Sequence, residues 1–481
     1  MINLKAIKQG FCNIVSENIY SSDIIIMNKV ILPILIFILL GSLAAYSQVE
    51  FCGHVPLLEQ GERHHPGYKE AVRQAFEESK RFVQKRTPGL FRIPVVFHVV
   101  WNNSFPAQNI PDSCITRQVQ ILNDCFRARN SDKGQLRPVF GFEAMDSEIE
   151  FYLADKDPAG NPASGIVRRA TNTRFTINPL IGVNIDMKSS SKGGSDPWPV
   201  DRYLNIWVVN MPLNFLGQEQ VAVLGFATPP ANLPNWPSNA TQGVGADGIV
   251  MQFHFIGDNN PNFRNLPASF SIADRGRALV HEAGHYLGLR HIWADKGNAL
   301  LGTPSCTNAQ GQKEDDGMGD TPYCGGNSQT AGCNPTKNTC NEESPDLPDM
   351  WENYMDYAEE RCQVLFTPQQ IDFMRSVLDT RRKQLVSWNE PSHTTDFKPG
   401  SSMLIFPNPV ISSFRVEWNE KVNPEFLEIR DQWGREILMM KVKGKTSAEV
   451  ELFDWPSAVY YTRLLDQFGK MLEAKNVMVL K

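Results

Sequence analysis

HEAGHYLGLRH, residues 281–291, is the stretch on which the reading of this chain turns. Three of the nine histidines in 481 residues stand in it, at 281, 285 and 291. On a helix, His281 and His285 lie one turn apart and project from the same face. Two imidazoles at that spacing can grip one Zn²⁺ ion. Glu282, beside the first, reaches a water on the ion rather than the ion itself. Gly288 permits the positive φ that ends a helix, so the chain can swing back and offer His291 as a third ligand. Three neutral imidazoles leave a fourth position open for water. The metal acidifies that water and Glu282 takes its proton. A bare HExxH arises by chance roughly once in 17 chains of this length, whereas the five fixed positions here arise roughly once in 7,000.

Outward from the motif, residues 273–289 read as the helix that carries it. Upstream, 91–101 (FRIPVVFHVVW) has the Val/Ile-rich pattern of a buried strand, and 147–154 and 203–211 read as further strands. Residues 115–130 place Ile115, Val119, Leu122 and Phe126 on one helical face. The segment 224–228 is a candidate edge strand for docking an extended peptide. A closing helix is expected over 366–385, with Thr367 as N-cap and Pro368 at the first position. Strands ahead of a central helix, then a Gly-, Pro-, Asn- and Cys-rich stretch, define an α/β domain with an irregular lower part.

Net charge is −6 with no sustained basic run, so nucleic acid is not an expected partner. From Met27, Lys29 precedes an apolar run, Val30 to Leu40, and small residues lead to Ala45-Tyr46-Ser47. This is the layout of a signal peptide, with Met27 as the expected true start, and the run is short for a stable transmembrane anchor. Cys306, Cys324, Cys333, Cys340 and Cys362 follow the motif without paired CxxC units, so in an exported chain they read as disulfides; five is odd, so one is either free or paired elsewhere in the chain.

The motif resembles the long zinc signature of the metzincin metallopeptidases. Asn353-Tyr354-Met355-Asp356-Tyr357 resembles the methionine-containing turn of their pappalysin-like branch, and Glu314 to Pro322 (EDDGMGDTP) its acidic loop. The resemblance implies a twisted-sheet α/β (α+β) catalytic domain acting on protein or peptide substrates. It implies zinc on His281, His285 and His291, Glu282 as general base then acid, and Met355 as the floor beneath the metal. Tyr357 would be a phenolic donor to the developing oxyanion. It further implies Ca²⁺ at Asp315, Asp316, Asp320 and Thr321, whose hard oxygens suit that ion, and Cys362 as a half-cystine. Branch members that cleave before Arg or Lys have an aspartate where this chain has Arg361. A cation there is expected to disfavour a basic side chain at P1′, with Glu359 and Glu360 close enough to compensate. Cys52, in Phe51-Cys52-Gly53, resembles a cysteine switch whose thiolate fills the open metal position.

After residue 403 the pattern changes to seven short strands with turn signals between them, a small β-sandwich. Phe406-Pro407-Asn408-Pro409, Asp431 to Arg435, Ala458 to Tyr461 and the terminal Val477 to Lys481 resemble the sorting domain of type IX secretion cargo, which implies that machinery as a partner. The expected organisation is a leader over 1–47, a pro-segment over 48–91, a catalytic domain over 92–388, a linker over 389–402 and the sorting domain over 403–481. The dibasic steps Lys80-Arg81 and Lys85-Arg86 are the expected activation region. A zinc amidase and a catalytically silent adhesin of the same fold are the rival readings. The intact Glu282 speaks against the adhesin.

Overall fold

The computed structural model describes residues 52–83, 89–387 and 403–479, less 178–181, 216–217, 222, 239–242, 267–272, 296–303, 343, 407, 409, 411–412, 432–433 and 453–454. The expected leader, the Lys85-Arg86 step and the linker lie outside the described residues. The chain divides into two compact units, Met1–Asn389 and Glu390–Lys481.

In the first unit, the apolar run around Val95 makes β1 (Phe91–Asn102), buried without interruption from Ile93 to Val100. A strand covered on both faces needs such a run, the mark of a parallel sheet interior. Along one side, β1 pairs in parallel with β2 (Ile149–Leu153) and then β3 (Ile166–Thr171); along the other it pairs with β4 (Leu204–Val209). A separate hairpin joins β5 (Pro212–Phe215) to β6 (Gln218–Val221). β7 (Gly225–Ala227) runs antiparallel to β8 (Ile249–Gln252), which is parallel to β4. The order β2-β1-β4-β8-β7 puts β7 at the sheet edge, where the sequence placed a docking strand.

Residues ahead of the sheet form α1 (His54–His64) and α2 (Tyr68–Phe82). Both are anchored on this unit: Tyr68 and Phe76 are buried, and the Arg290 guanidinium lies 3.8 Å from the Phe76 ring centre. Lys80 and Arg81 belong to α2, so of the two dibasic steps this one is helical. α3 (Asp112–Phe126) buries Ile115, Leu122 and Phe126 as its pattern requires.

The motif helix α4 (Ala278–Tyr286) is shorter than the expected 273–289. Gly276 and Gly288 adopt φ of +69° and +89°, the left-handed region in which a right-handed helix cannot continue. α5 (Pro368–Asp379) starts on the expected cap, with Thr367 and Gln370 forming a reciprocal capping box. The expected run to 385 is interrupted, and the chain resumes as α6 (Lys383–Ser387). At the break, Arg382 turns inward to a fully buried ion pair with Asp247 at 2.6 Å and donates to the Tyr286 carbonyl, which favours a turn over another helical residue.

The named strands of the second unit all pair antiparallel, and Val410 adds a single parallel bridge to Val479. One sheet is β9 (Met403–Phe406), β10 (Ser413–Trp418) and β13 (Ser447–Glu451). The other is β11 (Phe426–Arg430), β12 (Glu436–Lys441), β14 (Ala458–Leu465) and β15 (Met471–Val479). Val416, Trp418, Leu427, Leu464 and Val477 come from both sheets into one core, so the expected seven-strand sandwich is present. Among the described residues, no helix is long and apolar enough to cross a membrane.

Candidate metal centre

α4 buries its motif side chains completely: His281, Glu282 and His285 are each at most 6% exposed. Each motif histidine spends Nδ1 on an outer acceptor. His281 Nδ1 donates to the Tyr354 carbonyl at 2.7 Å, His285 Nδ1 to the Leu289 carbonyl at 2.8 Å, and His291 Nδ1 meets Asp295 Oδ1 at 2.5 Å. This turns the three Nε2 atoms toward one another, 3.0 to 3.2 Å apart. Three bare lone pairs so close repel unless a cation sits between them. A tetrahedral ion with N ligands at about 2.0 Å sets them roughly 3.3 Å apart. The donor set therefore fits zinc. Burial, with the neighbouring imidazoles, holds His281 and His285 well below the ordinary histidine range, in the neutral form that binds metal.

Glu282 is 1% exposed, and its Oε2 has no hydrogen-bond partner. Burial pushes its carboxyl up to about 8, against the lowering effect of its hydrogen bond with Cys52. Cys52 brings its Sγ into the same group: Sγ and the three imidazole nitrogens all lie within 4.8 Å of one another. Its backbone adds in parallel to the edge strand β7 at Gly225, where Gly53 N donates to Gly225 O at 2.8 Å. Glycine is needed on both sides of this contact. A Cβ at Gly53 would meet Val183 Cγ1 at 2.9 Å, and one at Gly225 would meet Met251 Sδ at 2.5 Å. His54, which the sequence did not single out, stacks face to face on His285 with ring centres 4.1 Å apart.

Met355 is fully buried under α4, so close that a Cβ on Gly284 would stand 2.4 Å from its sulfur. Asn353 Oδ1 accepts Met355 N at 2.9 Å and fixes that turn. Tyr357 packs its ring 5.6 Å from His281 and 4.9 Å from His291. Beside Glu282, a cavity of about 20 Å³ is lined by Leu224, Ala278, Tyr357, Ala358 and Glu360, among others. From the sequence, Glu360 is expected only to compensate the Arg361 charge. Its carboxylate accepts Ala278 N at 2.6 Å, so it caps α4 from across the fold, and it also accepts Arg275 N. Arg361 does not line this cavity; its exposed side chain pairs with Glu359. Glu359 thus partly offsets the Arg361 charge, as the sequence allowed.

The cysteines resolve into Cys306–Cys340 and Cys333–Cys362, with Cys324 buried as a free thiol. In the acidic loop, Thr321 Oγ1 donates to Asp316 Oδ1 at 2.7 Å and Asp315 Oδ1 accepts Gly317 N at 2.8 Å. Asp320 is drawn to the start of α5, where it accepts from Thr367 Oγ1 and Gln369 N, both at 2.7 Å. Among the described residues, the only cluster of His, Cys, Asp and Glu ligand atoms at metal spacing is that of Cys52 and the three histidines.

Sheet, motif helix, returning histidine and methionine turn together define a metzincin-type zinc metallopeptidase. Comparisons agree. The family model described as pregnancy-associated plasma protein-A, a peptidase family, matches residues 241–379, and a secretion-system C-terminal sorting domain matches 404–477. An extracellular metalloprotease of Verticillium alfalfae is 34% identical over 245 residues, covering 49% of this chain and 68% of the relative. One from Arthroderma gypseum is 23% identical over 333 residues, covering 69% and 84%. Among solved structures, mature mirolysin of Tannerella forsythia in complex with a cleaved peptide is 36% identical, covers 63% of this chain and 97% of its own, and superposes with a TM-score of 0.50. A promirolysin mutant from the same organism is 34% identical, covers 70% and 98%, with a TM-score of 0.55. The chain belongs to the pappalysin-type metallopeptidases and carries a type IX sorting domain at its C-terminal end. It is a secreted zinc endopeptidase acting on protein substrates, exported through the outer membrane. The amidase and adhesin readings give way to this.

Proposed function

We propose that His281, His285 and His291 hold the zinc ion through Nε2 and that Glu282 is the catalytic base. The observation that carries this reading is the Nε2 triangle, each imidazole fixed by an Nδ1 hydrogen bond. Bound zinc supplies Lewis acidity, polarising the scissile carbonyl and making water easier to deprotonate. Glu282 Oε2, buried and unpartnered, accepts the proton of the attacking water. The raised proton affinity of this carboxyl suits it to pass the proton on to the leaving amine nitrogen. The Tyr357 hydroxyl donates to the oxyanion developing on the scissile carbonyl. Met355 supports the histidines from below by packing. Substrate docks as an added strand on β7, the edge that Cys52 and Gly53 cover.

Residues 48–91 act as a pro-segment, with 92–388 as the catalytic domain, 389–402 as a linker and 403–481 as the exported sorting module. Cys52 closes the site by taking the position that water needs, and cleavage near Lys85-Arg86 releases it. A calcium ion belongs to the acidic loop. Support for it comes from Asp316, whose buried Oδ2 has no partner and whose carboxyl is pushed up to about 7 by burial; Asp315, Asp320 and Thr321 are the further candidate ligands.

The test is cleavage of a diverse peptide library by the activated enzyme, beside Glu282→Ala and a chelated sample. Loss of cutting in both controls, with zinc still bound to Glu282→Ala, is the expected result. Undiminished cleavage by the zinc-loaded Glu282→Ala protein would remove Glu282 from the role.

A further inference from the structure

We propose that Trp293 is a positioning residue for the peptidase reaction, locking the Tyr357 phenol ring against the His291 imidazole; this rests on the reading that Tyr357 acts on the substrate. Trp293 lies outside the zinc motif, and its sequence context suggests only an apolar residue. In the fold it is 5% exposed and completes a closed set of three rings. Its indole stacks on His291 with centres 4.3 Å apart and planes 9° from parallel. The same indole meets Tyr357 at 4.8 Å and 73°, while Tyr357 meets His291 at 4.9 Å and 80°. Stacked and edge-to-face pairs at these separations are the favoured aromatic geometries.

Each ring needs what the indole supplies. Asp295 holds His291 at Nδ1, and the flat indole face lies along the imidazole plane and limits the tilt that this hydrogen bond leaves. Tyr357 stands on an irregular segment after the methionine turn, outside any helix or strand. Its phenol is therefore oriented by side-chain packing, in which the edge contact with Trp293 joins those with His281 and His291. An aliphatic side chain would fill part of the space without constraining either angle.

The experiment is a double-mutant cycle on kcat, with zinc content, KM and thermal midpoint measured for enzyme prepared from the full chain. Trp293→Leu is expected to lower kcat on the order of 10- to 100-fold, with KM and zinc stoichiometry unchanged. Trp293→Phe, which keeps a ring, is expected to restore most of that loss. The Trp293→Leu/Tyr357→Phe double variant should be no slower than Tyr357→Phe alone, because the indole acts through the phenol. Additive losses in the double variant, or activity falling only in step with lost zinc, would overturn the proposal. So would a Tyr357→Phe variant with unchanged kcat, and that outcome alone also defeats the reading of Tyr357. Trp293→Met, whose unbranched side chain adapts to irregular gaps, serves the same comparison if the leucine variant does not fold.

Discussion

Gly284→Ala tests how tightly the methionine turn supports the zinc helix, because two opposing effects of known size meet at one atom. Gly284 is inside α4, where replacing glycine by alanine favours the helix by about 1 kcal/mol. The new Cβ would stand 2.4 Å from Met355 Sδ and 3.3 Å from Phe366 Cε1, against an optimum of about 3.5–4.0 Å for such contacts. Met355 and Phe366 are buried, so neither can swing into solvent. Overpacking of this kind costs about 1–3 kcal/mol, so the steric cost wins and the net loss is on the order of 1 kcal/mol. The assay is thermal and urea unfolding of the full chain in a Glu282→Ala background, which prevents self-digestion. The midpoint should fall by about 2–4 °C for each kcal/mol lost, and zinc should bind more weakly because His281 and His285 flank the displaced turn. Adding Met355→Ala should recover part of the loss, with a coupling of about 0.5–3 kcal/mol between the two sites. A Gly284→Ala protein as stable as its parent, with unchanged zinc affinity, would refute the idea that Met355 bears on α4.

Further outcomes follow from other contacts. Asp295→Ala frees His291 Nδ1 and should weaken zinc binding by about 10- to 100-fold, read by competition with a chromogenic chelator. Cys52→Ser should give an unprocessed chain that cleaves peptides, and His54→Ala should leak as well, more weakly, because the ring stacked on His285 is lost while the thiol remains. Equal latency in all three chains would argue that docking of α1 and α2 alone blocks the site. Lys188 is buried between carbonyls and aromatic rings, and burial lowers its amine to about 7 from an ordinary 10.5. Its unfolded form therefore binds the proton over that interval while the folded form has released it. Its contribution is complete above pH 10.5 and is lost as pH falls to 7, so Lys188→Met should flatten the rise in stability with pH across that window.

The sequence by itself determined the chemistry and most of the elements. Two histidines one helical turn apart, a glycine able to take positive φ and a third histidine three residues on are a local code, because helix geometry alone turns that spacing into a metal grip. The strand at 91–102 was legible for a similar reason: burial on both faces demands an unbroken apolar run. The seven strands of the sorting module declared themselves through alternation and turn residues, and in the first unit Thr367-Pro368 marked the start of α5. What only the tertiary structure decided are the contacts made across long sequence distances. Glu360 capping α4, the Tyr354 carbonyl on His281 and His54 on His285 join segments far apart in the chain, and no periodicity encodes such pairings. The bend that brings Trp293 and Asp295 onto His291 is equally silent, since an aromatic or an acid at those positions carries no spacing signal of its own. The same limit accounts for Arg361: its charge was plain in the sequence, but whether the side chain faces the cavity or the solvent is set by the packing of the turn around it.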